Sequence, residues 1–156
     1  MLNAAKIGNP KRYTFNELRT NFPHELPHYK IGETRTIKRF IELGYLPGDY
    51  VFDFRLPYQL TDTEKLYSES EQRMMINLKS MRIDAVVETA EAIWILEVCR
   101  GLELSYTGKL IGYTDIYKQL YKPSKPIKMG VVGLDDNVMA RGALERMGVK
   151  VWLVSW

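Results

Sequence analysis

The chain has 156 residues, 46% of them hydrophobic and 26% charged, which suits one globular domain with a real core. No apolar run approaches a membrane span, the N-terminus lacks a secretory apolar region, and the single cysteine, Cys99, excludes an internal disulfide framework and a multi-cysteine zinc site. These features imply no membrane and a cytoplasmic, reducing setting. The net charge is only +3, but residues 1–39 hold eight Lys and Arg against three Glu, a net +5 that leaves the remainder at −2. A basic portion of this kind can lie along phosphates or simply be a solvated surface.

Residues 1–30 contain Pro10, Pro23 and Pro27 and no sustained period, and read as an extended basic arm with a short helix around Asn16–Thr20. His24 and His28 stand four apart in it but between prolines, which does not suit a helical metal pair. Residues 31–156 read as the folded domain. GETRTIKRFIELG sets Ile37, Phe40 and Ile41 on one helical face, with Gly44 as its stop. A turn at Pro47–Gly48 leads into an alternating strand, Tyr50 to Leu56. The polar stretch from Thr61 to Lys79 is helical in part, and TDTE has capping-box spacing from Thr61 to Glu64.

RIDAVVETAEAIWILEVCRG follows as two apolar runs joined by a short polar turn, a hairpin. SYTGKLIGYTDIYKQLY reads as a helix, broken by KPSKP. MGVVGL is a short buried strand, DDNVMARGALERMG a helix capped by an Asp and stopped by Gly148, and VKVWLVSW a closing strand. The last strand–helix–strand unit calls for a parallel crossover. The fold class is therefore α/β, a central mixed β-sheet flanked by helices.

With the hairpin turn at Ala90–Glu91, Thr89 faces Ala92, Val86 faces Ile95, Ala85 faces Leu96, and Asp84 faces Glu97. Opposed residues of an antiparallel pair share a face, so two carboxylates become cross-strand neighbours. Their face also carries Val86, Ile93 and Ile95, and the other face carries Ala85, Val87, Trp94 and Leu96. Like charges paired there repel and lose solvation, and a bound divalent cation relieves both costs. A turn one residue longer would instead let one carboxylate reach solvent.

Asp84, a gap of twelve residues, then Glu97-Val98-Cys99 resembles the Asp…(Asp/Glu)-x-Lys signature of the PD-(D/E)XK nuclease superfamily. The helix and strand before it and the helix, strand, helix and strand after it are similar to that family's restriction-endonuclease-like core over about residues 31–156. The resemblance implies that Asp84, Glu97 and the backbone carbonyl of Val98 hold Mg²⁺ or Mn²⁺, and that the substrate is DNA. The family's lysine is replaced by Cys99, which on the residues alone is a small core side chain. KLIGY (Lys109 to Tyr113) resembles the Gln-x-x-x-Tyr element of the helicase-associated branch, with Lys for Gln. By that resemblance Lys109 supplies the missing catalytic lysine; otherwise it is a surface lysine beside a core tyrosine. Glu33 leans toward the core face of its helix, where the family often has an auxiliary Glu near the metal.

Other features carry less. Asp135 and Asp136 follow a strand, and helix capping accounts for at least one of them. Tyr106, Tyr113, Tyr117 and Tyr121 form a helical stripe of core character, and Lys122, Lys125 and Lys128 lie around two prolines. The expected function is a Mg-dependent deoxyribonuclease. The alternative is the same fold without catalysis, a DNA-binding or assembly component such as a phage virion part, located in host cytoplasm or virion. A homo-oligomer or assembly contact through the N-terminal arm belongs to that alternative.

Overall fold

The computed structural model describes residues 10–155. Its elements are β1 (Arg12–Tyr13), α1 (Phe15–Thr20), α2 (Ile31–Glu42), β2 (Asp49–Leu56), α3 (Glu69–Lys79), β3 (Met81–Glu88), β4 (Ile93–Val98), α4 (Ser105–Tyr121), β5 (Ile127–Gly133), α5 (Val138–Arg146) and β6 (Val149–Leu153). The strands form one six-stranded sheet in sequence order. β1 to β4 pair antiparallel, whereas β4–β5 and β5–β6 are parallel, each reached through a helix. The chain is thus α/β with a mixed sheet flanked by helices, and among the described residues no helix is long and apolar enough to cross a membrane.

Side-chain alternation splits the core into two layers. On one face Ala85, Val87, Leu96 and Val98 pack against Leu18 of α1 and Ile37, Phe40 and Ile41 of α2. On the other, Val86, Ile93, Ile95 and Val131 pack against Leu110 of α4 and Ala140 and Leu144 of α5. The hairpin register agrees with the sequence reading: Ala85 pairs with Leu96 and Val86 with Ile95, and the Thr89 N–H donates to the Ala92 carbonyl at 2.9 Å. Gly48 is required by close approach, because a Cβ there would meet the Glu88 carbonyl oxygen at 2.6 Å.

Two expectations need correction. The segment before α2 is not an extended arm over its described part. Arg12 and Tyr13 add a strand to the edge of β2, and Leu18 and Leu26 are buried in the α2-side core. Phe22 and Tyr29 pack edge-on against Phe52. Arg12 is committed to Asp49 at 3.1 Å and to Glu88 at 2.7 Å, so its charge is already paired. Lys6 lies outside the described residues. Secondly, α5 is capped by Asn137, whose side chain accepts the Ala140 N–H, rather than by an Asp. Asp135 pairs with Arg100 and Asp136 with Arg141.

Between Thr61 and Lys79 the chain forms a short 3₁₀ turn, Glu64–Leu66, and then α3, which has its own capping box between Ser68 and Glu71. Glu64 is buried, and its carboxylate accepts from Tyr58 Oη (2.7 Å), Thr61 Oγ1 (2.9 Å) and Lys79 Nζ (3.2 Å).

Candidate functional site

The site forms where β3 and β4 leave the hairpin. The paired register of β3 and β4 ends at Ala85–Leu96; Asp84 and Glu97 are the next residues of the two strands, near enough for Asp84 to repel Glu97. One Asp84 oxygen, Oδ2, accepts the Val98 N–H at 2.8 Å, so the carboxylate reaches the peptide that follows Glu97. Glu97 is only 5% exposed, and its Oε1 is buried without a hydrogen-bond partner. Desertion of a buried carboxylate oxygen is costly, and most such atoms in folded proteins are paired.

Electrostatics follow from that placement. Burial raises the Asp84 carboxyl above the ordinary range. The Val98 amide opposes the rise, repulsion from Glu33 and Asp53 adds to it, and Lys109 offsets part of it. Burial also raises Glu97, further than Asp84, with repulsion from Asp84 next, relief from Lys109, and a smaller push from Glu33. Like charges and desolvation therefore act in the same direction on both groups.

The five expected residues converge unevenly. Asp84 and Glu97 are neighbours. Lys109 is exposed on α4, its ammonium 5.7 Å from the centre of the Tyr106 ring and within electrostatic reach of both carboxyls. Tyr113, one turn on, is half-buried, and burial together with Glu97 and Asp84 raises its hydroxyl. Glu33 lies near enough to repel the pair, and one of its oxygens accepts the Lys30 N–H at 2.9 Å at the start of α2. Val98 contributes its N–H to Asp84. Cys99 is 3% exposed in the α4-side core, and burial pushes its thiol up to about 12, against a hydrogen bond with Tyr106. It is a neutral packing group.

Two residues join the site that sequence reasoning missed. The Tyr29 hydroxyl donates to the Asp84 carbonyl oxygen, and burial, then Asp84, Glu97, Glu33 and Asp53, raises it well above the ordinary phenol. Asp53 occupies the β2 position between Phe52, paired with Ala85, and Phe54, paired with Ile83, and so lies opposite Asp84. Its φ is +51°, and it stands 3.5 Å from His28, whose φ is +66°, and 3.8 Å from Arg82. Left-handed backbone at a side chain other than glycine is uncommon and gathers at functional positions. An Asp in phase with the β3 carboxylate was the one available signal, and it needed the β2–β3 register to be seen.

Among the described residues no three His, Cys, Asp or Glu side chains are arranged to hold a metal ion by themselves. Asp84 and Glu97 are nevertheless a fitting donor pair for a hard cation, since the unpartnered Oε1 is an oxygen ligand without another task. No protein-family model matches the chain, and neither the curated proteins nor the solved structures contain a match.

Proposed function

We propose that the chain is a metal-dependent DNA nuclease of the PD-(D/E)XK type, with a restriction-endonuclease-like core, in which Asp84 and Glu97 hold Mg²⁺ or Mn²⁺. The observation that carries this reading is the unpartnered Glu97 Oε1 beside a second raised carboxyl. The same chain gives its other buried glutamate, Glu64, three partners. A carboxyl oxygen left without a partner in the middle of a sheet is a cost without structural return. The antiparallel strands β2–β4 followed by a helix and a parallel β5 accord with the proposed core.

A residue's N–H and C=O leave an extended strand toward the same neighbour. On that rule the Val98 carbonyl would serve beside Asp84 as the third oxygen donor. A divalent cation supplies Lewis acidity and a more acidic water when bound. The chain's own residues do the rest. Asp84 and Glu97 hold the charge, and Tyr29 fixes the backbone of Asp84. Lys109 sets a positive charge where negative charge develops on phosphate oxygens. Glu33, with one oxygen tied to its helix start, serves as an auxiliary acceptor.

The buried, neutral Cys99 favours a second reading, a nuclease fold without catalysis that serves in DNA binding or in an assembly such as a phage virion. Incubation of single- and double-stranded DNA with the protein and Mg²⁺ or Mn²⁺ separates the two. Nicking or degradation that disappears in Asp84→Ala establishes the enzyme. Intact DNA with every metal, from a folded protein, leaves the non-catalytic reading.

A further inference from the structure

α2 has two working sides. Glu33 lies on the side of the carboxylates, while Ile31, Thr34, Arg35 and Lys38, at the i, i+3, i+4, i+7 spacing of one helical stripe, line a cavity of about 480 Å³. The opposite wall is the segment between α1 and α2, with Phe22, His24, Glu25 and Tyr29. That volume is within the ordinary range for a small-molecule site. Neither Arg35 nor Lys38 enters an ion pair among the described residues, whereas their neighbour Arg39 is tied to Glu42 and to the Ser155 carbonyl. Ile31, 79% exposed, stands at the mouth beside these cations. Tyr29 lines the cavity and its hydroxyl reaches the Asp84 backbone, so one side chain links the cavity to the strand that carries Asp84.

We infer that this cavity binds one unpaired nucleotide of a single strand, with its phosphate on Arg35 and Lys38 and its base against Phe22 and Ile31. Cations of this kind recognise a phosphate, and an apolar wall with an aromatic ring takes a base face without regard to sequence. The base must be unpaired, because a duplex keeps its base faces stacked. The assignment rests on the nuclease reading only for its consequence, that the bound unit lies next to the phosphodiester presented to Asp84 and Glu97.

The test measures binding of a dye-labelled single-stranded oligonucleotide in EDTA, where cleavage cannot interfere. The proteins are wild type, the double variant Arg35→Glu with Lys38→Glu, and Phe22→Leu. The strand should bind wild type. The double variant should weaken it at least tenfold and, with two cations gone, flatten the salt slope by about 1.4. Phe22→Leu should weaken binding of the strand but not competition by inorganic phosphate. A nucleoside monophosphate should compete better than inorganic phosphate, and duplex should compete poorly.

Undiminished binding by the folded double variant overturns the site. Equal competition by phosphate and nucleotide, or preference for duplex, overturns the unpaired nucleotide as occupant. Loss of the nuclease reading gives a different pattern, with no cleavage and no metal response but strand binding still sensitive to Arg35 and Lys38.

Discussion

Asp84 accepts the backbone N–H of Val98 at 2.8 Å, across from Glu97, and the two carboxylates thereby part in their satisfaction: Asp84 has an amide, while Oε1 of Glu97 has nothing. Their charged forms carry the cost, and each prediction about them turns on when that charge is present.

Stability should depend on pH in a direction opposite to that of a salt-bridged acid. A carboxyl raised in the folded state holds its proton there while the unfolded chain has released it, so stability is lost as pH rises across that interval. For Glu97 the interval runs from the ordinary value of 4.5 to about 8. The metal-free protein should melt at progressively lower temperature through this window. Glu97→Gln should flatten the profile and melt higher than wild type at its upper end. A decline of the same size in the variant would assign the effect to other groups.

Divalent metal should reverse that loss. At a hundred times its dissociation constant a ligand adds about 2.7 kcal/mol, roughly 5–10 °C for a chain of this length. Mg²⁺ or Mn²⁺ should raise the melting temperature of wild type and leave Glu97→Ala unmoved. Equal shifts in both proteins would remove Glu97 from the ligand set.

Lys109→Ala should reduce cleavage by about 10²–10³-fold, the scale of one lost transition-state donor, with the metal-induced shift in melting intact. Cleavage at the wild-type rate would show that Lys109 is only a surface residue. Returning a lysine by Cys99→Lys should cost stability, since Cys99 is buried and its sulfur lies 3.3 Å from where a Cβ on Gly133 would sit.

Tyr29→Phe removes the hydroxyl bonded to the Asp84 carbonyl and should cost about 1 kcal/mol in urea unfolding. It should also weaken the response to metal, because the backbone that carries the carboxylate is no longer tied. An unchanged metal titration would limit Tyr29 to a structural bond.

Gly130→Ala tests the sheet's packing away from the site. A Cβ there would come within 2.6 Å of Trp152 Cζ3 and 2.8 Å of Leu96 Cδ2. Overpacking should destabilise by about 1–3 kcal/mol, readable as a lower urea midpoint. A neutral result would mean that the Trp152 ring can withdraw.

The hairpin could be read because its signal is local. Alternation with period two and a two-residue turn together set which residues oppose, so the pairs Ala85–Leu96 and Val86–Ile95 are legible in the sequence, and Asp84 and Glu97 are the residues that follow them. The packing of residues 12–29 could not be read this way. Leu18, Phe22, Leu26 and Tyr29 recur at helical spacing, but Pro23 and Pro27 stop a helix from running through them, and their burial is decided by Phe52 and α2, far along the chain. Asp53 was hidden for another reason: a left-handed backbone at an aspartate leaves no mark in composition or period. The Asn137 cap lost to a more obvious Asp because both residue types suit the position and only geometry chooses between them.

The unusual backbone at Asp53 also divides β2. Tyr50 and Phe52 before it belong to the core beneath α1 and α2, and Phe54 beyond it belongs with Leu56 to the core beneath α4 and α5. β3 does the same across Asp84, with Ala85 and Val87 in the first core and Ile83 in the second, so two neighbouring strands pass from one layer to the other beside the carboxylate. Loosening either strand there should therefore disturb the packing on both faces of the sheet.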